Sequence, residues 1–551
     1  DNGWGFRLVM LVVTVWGVFV VSSLIGLLSA GVQAQLDVLR KGRSFVLEHG
    51  HTVILNWSES IFDIIKELIV AHAKDKRFTI VILADKDKVE MEDAIASKVP
   101  RHGHVRIVCR SGDPGTLDDL AIVNLENAGS IVVVAPDNDP DAQNIKIVLA
   151  LVHGPHRRKA PYQIAAEFRT AKCAEIARSI GNGEVQAVVP DDLISRIIVH
   201  SSRHVGLSAV YSELLDFEGA EFYAHAMPEL AGQTFRDALF MVGPGGLIGI
   251  CHADGKVELN PEMDTVIPAG ALAVIVAQDR DAIGYLGAKQ PQIEEAAIVG
   301  RRPAAEGAER ALILGWNRRG AEIARQLSTY MAPGSVINVA ASTPGFEQDI
   351  AQVSLLRESV KLENCTLDAR DRTALEGVGA AAYDRTIVLS CSDSLPTQAA
   401  DTQTLVTLLH LRDIAADSGK RGILVSEMTD IRNRQLAAVT RADDFVVSNR
   451  LISLMLAQAA ESRFASAIFA EILDEQGSEI YMRPVENLVN IDKPIDFFTV
   501  LDAAARRGET AFGYCRPRGD PADPSGVMLN VPKADKIEYR AGDYIVVLAR
   551  E

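Results

Sequence analysis

HTVILNWSESIFDIIKEL, from His51 to Leu68, and RALILGWNRRGAEIARQL, from Arg310 to Leu327, are two versions of one pattern: an apolar strand, a turn carrying a tryptophan and an amphipathic helix. The correspondence continues at an offset of 255 to 260 residues. VRIVCRSGDPGTLDDL precedes SIVVVAPDNDPDAQN in the first copy, and VKLENCTLDARDRTALEGV precedes RTIVLSCSDSLPTQAAD in the second. Each copy then offers six short strands, starting near residues 52, 78, 105, 130, 162 and 185, and near 310, 335, 361, 385, 421 and 443. Helical stretches separate them, which is the βαβ rhythm of a doubly wound parallel sheet.

Apolar helices near 191–215 and 449–473 follow the last strand of each copy. Each copy then closes on a β-rich tail, read as a strand, a Gly turn and a Val/Ile-rich strand, in NPEMDTVIPAGALAVIVAQD and VPKADKIEYRAGDYIVVLARE. The stretch 280–309 lacks periodicity and is rich in Ala, Gly, Pro and charge, as a linker is. Upstream of both copies, Leu8 to Leu36 contains no charged residue, enough for a helix that crosses about 30 Å of hydrocarbon. It is longer than the apolar region of a secretory signal. Arg40, Lys41 and Arg43 follow it, a flank that places the large C-terminal body on the cytoplasmic side.

The fold expected is therefore α/β: one transmembrane helix, then two tandem Rossmann-like doubly wound domains, each with a small α+β C-terminal lobe. The divisions are 1–36 for the transmembrane helix, 37–48 for a connector, 49–220 and 221–279 for the first domain and its lobe. The linker 280–309 leads to 310–480 and 481–551 for the second pair. A net charge of −17 with no basic cluster beyond the juxtamembrane one excludes nucleic acid as a partner class. Six scattered cysteines with no C-x-x-C pair suit a reducing compartment.

A dinucleotide fingerprint, G-x-G-x-x-G, lets backbone approach a pyrophosphate at a helix N-terminus. The first copy has Asn56-Trp57-Ser58-Glu59-Ser60-Ile61, with no glycine and with Glu59 where a phosphate would sit. The second has Gly315-Trp316-Asn317-Arg318-Arg319-Gly320 and keeps the outer two glycines. Both loops read first as structural turns that pack their tryptophan. An NAD-type nucleotide, if held, would use Asn56, Ser58 and the ribose-facing Asp85 in one copy, and Gly315, Asn317 and Gly320 in the other. Carboxylates gather after the fourth strand at Asp137, Asn138, Asp139 and Asp141, and in the second copy at Asp368, Asp371 and Asp393. Such hard oxygen ligands suit Ca²⁺. No nucleophile elbow, P-loop or H-E-x-x-H is present, so no enzymatic reaction is assigned.

RKGRSFVLEHGHTVILNWSE (Arg40–Glu59), VRIVCRSGDP (Val105–Pro114), FEGAEFY (Phe217–Tyr223) and NPEMDTVIPAG (Asn260–Gly270) together resemble the CASTOR/POLLUX family of ion channels. Each copy also resembles a regulator-of-potassium-conductance (RCK) domain, with Gly112-Asp113 similar to that family's GD after the third strand. The resemblance implies a homotetramer in membrane lipid that passes cations, with Val9–Ala34 as the pore-lining helix and a cytoplasmic ring of eight domains. One span cannot form a selectivity filter, so the filter is expected upstream of Asp1. The alternatives from other classes are a membrane-anchored regulatory subunit of a separate transporter and a dinucleotide-dependent oxidoreductase.

Overall fold

The computed structural model describes residues 3–40, 42–100, 103–136, 140–155, 157–287, 291–299, 307–420, 422–516 and 526–550. A single helix, Trp4–Arg40, opens the chain. Its segment Trp4–Ser29 has a mean hydropathy of 2.6 and is not buried by the rest of the chain, and by length and composition it can cross a membrane. At 1.5 Å per residue those 26 residues extend about 39 Å, more than a bilayer core.

Each of the twelve strands expected in the two doubly wound sheets is present and starts within two residues of its sequence estimate. In the first sheet the strands are Thr52–Leu55, Phe78–Ala84, Val105–Ser111, Ser130–Val133, Ile164–Glu167 and Val185–Val188, in spatial order third-second-first-fourth-fifth-sixth. The second sheet has Arg310–Leu314, Val336–Ala341, Lys361–Thr366, Arg385–Val388, Ile423–Met428 and Asp444–Val447 in the same order, joined by parallel ladders. The first strand of each sheet is central, and its neighbours on either side begin the reversal of strand order at which ligands bind in open α/β sheets. Every residue of Thr52–Leu55 and of Arg385–Val388 is buried, as strands covered on both faces must be.

Two compact units result. The first comprises 1–65, 74–166 and 176–185, and the second 66–73, 167–175 and 186–551. In the first unit the connector is not slack. Val46 is fully buried with its N–H on the Ile122 carbonyl (2.8 Å), Arg110 Nε reaches the Ser44 carbonyl (2.6 Å), and Arg43 pairs with Asp119 (3.2 Å). Asp119 also accepts the Asp113 N–H at 2.8 Å, and a Cβ on Gly112 would lie 2.8 Å from its carboxyl carbon, so the GD turn needs its glycine for this carboxylate.

The second unit takes in the helices Pro190–Arg203 and Leu207–Leu215, which sequence similarity groups with the first copy. Two four-stranded sheets form its lobes, and a shared core of Phe235, Leu239 and Ile275 with Tyr481, Phe497 and Leu501 joins them. The leading strand read in NPEMDTVIPAG is absent: residues 260–271 form a loop with only a bridge between Thr234 and Val266. Pro261 and Pro268 lack the N–H a ladder needs, which explains the difference. Parts of 280–309 are also tied down, since Gly284–Tyr285 pairs with Val242–Gly243 and Ile298 bridges Val489.

Lys533 of the second lobe is buried, and its Nζ donates to the carbonyls of Leu239 (2.9 Å) and Val242 (2.7 Å) in the first lobe. Burial pushes this amine down from 10.5 to about 7. Between those values the unfolded chain holds a proton that the folded amine has released, so this group makes stability rise with pH. Relative to Lys533→Met, wild-type protein should therefore gain stability as pH is raised through that window, measured as the difference in urea midpoints; parallel pH profiles would show that the amine does not titrate there.

Candidate functional site

The apolar strand Arg310–Leu314 ends at Gly315, whose φ of +84° is left-handed and whose Cβ would lie 2.8 Å from the Leu389 carbonyl oxygen. Only glycine meets both conditions. The chain then turns through Trp316 into the helix Gly320–Tyr330. A Cβ on Gly320 would stand 2.6 Å from the Trp316 ring, and Trp316, 5% exposed, packs edge-on against Phe346 at 5.5 Å. Both retained glycines therefore serve the turn and its tryptophan.

Beside this turn, at the carboxyl ends of the second sheet's first four strands, lies a cleft of about 320 Å³ lined by Gly315, Ser342, Asp368, Cys391, Ser394 and Thr404. Arg370 hydrogen bonds hold the Asp368 carboxyl below its ordinary range, and burial raises the Cys391 thiol. The end of the Val336–Ala341 strand presents Ser342 in place of an acidic ribose partner.

On the other side of the turn is a charge network. Asn317 Nδ2 donates to the Ser390 carbonyl and to Glu427, both at 2.8 Å. Arg319, 2% exposed, pairs with fully buried Glu427 and with Asp191 (2.9 Å). Burial works against the Arg319 charge, but Glu427 and Asp191 outweigh it and raise its pKa. Arg318 is half exposed and bridges Asp191 (2.7 Å) and Asp393 (3.0 Å), while its backbone N–H donates to Asp393 at 2.6 Å.

The first copy solves the same turn with neutral groups. Asn56, 259 residues before Gly315, has a φ of +73°, the left-handed conformation that asparagine tolerates best after glycine. Its amide donates to the Val134 carbonyl (3.2 Å) and to Asn144 (2.9 Å), and Gln143 donates to its oxygen (3.1 Å). Ser58 bonds Ser60 at 2.7 Å, and Asp85 lies exposed beyond the end of Phe78–Ala84. Glu59 is 80% exposed and pairs with Lys98 at 2.6 Å, since water and a surface ammonium solvate its charge better than the interior does.

Of the acidic positions, Asp137, Asn138 and Asp139 lie outside the described residues, and Asp141 sits in the first turn of the helix Pro140–His153. Asp371 caps the helix Arg372–Gly377, Asp368 is paired with Arg370 and Asp393 with Arg318. Among the described residues no three His, Cys, Asp or Glu side chains gather as a metal site would. The residues sequence reasoning missed are Arg318, Arg319, Asp191 and Glu427. A lone acid inside the apolar strand GILVSEM was the available signal, since a buried carboxylate demands a cation.

Residues 47–154 match the calcium-activated potassium channel slowpoke-like RCK domain, and residues 191–293 match the family described as Castor and Pollux, part of voltage-gated ion channel. Over its whole length the chain is 29% identical to a probable ion channel CASTOR of Oryza sativa subsp. japonica, of which it covers 65%. It is 28% identical over 99% of its length to a probable ion channel POLLUX of Arabidopsis thaliana, of which it covers 70%. The chain thus spans about two thirds of the length of these relatives, and the resemblance to CASTOR/POLLUX channels holds from end to end. Its fold is similar to that of the human SLO3 gating ring, with a TM-score of 0.62 over 90% of this chain and 98% of that one at 13% identity.

The packing of Trp316 against Gly320 generates a stability test. Gly320→Ala should cost about 1–3 kcal/mol through overpacking, and Trp316→Leu in the same chain should return part of it. Urea unfolding that finds Gly320→Ala neutral would show that the tryptophan can move aside.

Proposed function

We propose that this chain is a subunit of a tetrameric, ligand-gated cation channel, contributing a pore-lining helix and a cytoplasmic sensing body, and that it is not an enzyme. Its similarity along the full chain to proteins named as ion channels carries this reading. The reading assigns 1–36 to the pore, 37–48 to the connector, 49–279 to a first RCK unit with its lobe, 280–309 to the linker and 310–551 to a second RCK unit with its lobe. The cleft beside Gly315, Asn317 and Gly320 is the ligand seat of the second unit. The neutral plug on Asn56, beside Ser58 and Asp85, leaves the first a weaker candidate. A divalent cation at Asp137, Asn138, Asp139 and Asp141 is the competing ligand reading; at Asp393 it would have to displace Arg318. Calorimetry with Ca²⁺ and with ADP on the same preparation separates the two.

Assembly is supported by apolar side chains left in solvent at equivalent places. Leu149 on Pro140–His153 and Leu409 on Thr397–Ser418 are 42% and 37% exposed and lie 260 residues apart. Ile176 on Ala171–Ile180 and Leu436 on Arg434–Ala438 are 42% and 62% exposed at the same separation. The same two helices of each copy thus present an uncovered apolar position, the pattern of a face reserved for another subunit.

Native mass measurement of the full chain in detergent should find tetramers, and Ile176→Asp with Leu436→Asp should reduce them to dimers or monomers with the fold retained. A wild-type monomer at high concentration would remove the ring. The complete gene product in planar bilayers should carry cation current that changes with ligand. If it carries none under any Ca²⁺ or nucleotide condition while a separate membrane protein co-purifies with it, the regulatory-subunit reading replaces the channel.

A further inference from the structure

The turn that would receive the charged end of a ligand already holds an anion of the chain's own making. Asp393 accepts the Arg318 backbone N–H (2.6 Å) at the entry to the helix Gly320–Tyr330 and the Arg318 guanidinium (3.0 Å), the two donor types that a phosphate or carboxylate takes at such a place. Asp191, from the first turn of Pro190–Arg203, accepts from Arg318 (2.7 Å) and Arg319 (2.9 Å). Two further polar atoms here have no partner although almost wholly enclosed: Arg319 Nε, on a side chain 2% exposed, and Ser390 Oγ, on a residue fully buried. A buried N–H and hydroxyl left unsatisfied mark a polar site whose donors exceed what the chain supplies.

On the reading that the adjoining cleft is the ligand seat, we propose that Asp393 is a built-in competitor for an anionic ligand, a nucleoside diphosphate or a smaller phosphate, and that its displacement releases the helix Pro190–Arg203. Two anions cannot share the Arg318 N–H, because they repel at contact distance while each requires the same donor. A phosphate carries more charge and more acceptor oxygens than a carboxylate, and Asp393, 31% exposed, can leave toward water at little cost. As Arg318 turns to the phosphate, Asp191 keeps only Arg319. The first turn of Pro190–Arg203 is then held by one cation instead of two, so occupancy of the cleft is reported to a helix that packs on Gly320–Tyr330 and on the strand Ile423–Met428.

The test is calorimetry on the full chain in detergent, with ADP and inorganic phosphate as probes. Asp393→Ala should bind ADP about tenfold more tightly than wild type, and adding Arg318→Ala should abolish the gain. Asp368→Asn removes a carboxylate that lines the adjoining cleft and is paired elsewhere, with Arg370; an equal gain there would reduce the effect to net charge and overturn the competitor. So would an Asp393→Ala protein, folded by circular dichroism, that binds no more tightly than wild type or not at all. Saturating ADP should also speed amide hydrogen exchange over residues 192–198 in wild type, and unchanged exchange would overturn the link to the helix. Neither measurement uses current, so their failure would leave the channel assignment standing.

Discussion

Glu479 is a carboxylate, 4% exposed, that the second unit can bury only if two other segments are already in place. Its oxygens accept from the Tyr330 hydroxyl at the end of one helix, from Arg203 (3.2 Å) at the end of another, and from Tyr481 (3.3 Å) on its own strand. Arg203 lies 4.0 Å from the Tyr330 ring centroid, so the same cation serves the carboxylate and the aromatic face. Behind Tyr330 stands His200, bonded through Nε2 to the Tyr330 hydroxyl (3.2 Å) and through Nδ1 to Tyr211 (2.8 Å). Burial, and then Arg203 and Arg196, push this imidazole down to about 3, so it is neutral. Because Tyr330 gives its proton to Glu479, it accepts from His200 Nε2, which leaves Nδ1 to accept from Tyr211. Removing any link leaves a buried charge or dipole unmatched, which costs several times what a typical surface contact contributes.

That constraint explains why the chain from 186 onward, helices of the first repeat included, packs in the second unit. The helices Pro190–Arg203 and Leu207–Leu215 belong to the first copy by sequence similarity, yet they carry Arg203, His200 and Tyr211 into the second unit's polar centre. The lobe that follows them shares an apolar core with the second lobe, and Lys533 bonds across it. A repeat boundary records ancestry, whereas a packing boundary records which side chains cannot be buried separately.

The strands were legible because length and flanking turn residues report burial: short continuous runs such as TVIL and LIL between turns, repeated with helical stretches between them, fit strands covered on both faces. The first lobe's missing strand was not, since NPEMDTVIPAG leads through a Gly turn into a Val/Ile-rich strand as a hairpin arm does, and its two prolines argue otherwise. The site was legible only as a turn. Gly315 and Gly320 stood out, but their need for a left-handed backbone and for a tryptophan ring is a matter of packing. Arg319 finds its partners 108 and 128 residues away, at Glu427 and Asp191, and no local pattern encodes a pairing at that separation.

The two copies then differ in what holds the turn after the first strand. At the left-handed position the first has Asn56, and the amides of Asn56, Asn144 and Gln143 close on one another and on a backbone carbonyl. These are neutral groups satisfied by neutral groups, so an anion arriving at Asn56 would have to break these bonds, and the cations nearby are the surface lysines Lys86, over Trp57, and Lys98, paired with Glu59. In the second copy the equivalent space is governed by Arg318 and Arg319 with Asp191, Asp393 and Glu427. Glu427 is fully buried and its pairing with Arg319 is fixed by the cost of separating them, but Asp393 and Arg318 are partly in water, where an ion pair is weak and exchanges partners readily. One half of the network therefore holds the turn in shape, while the other half is a partly solvent-exposed ion pair of the kind that exchanges partners readily.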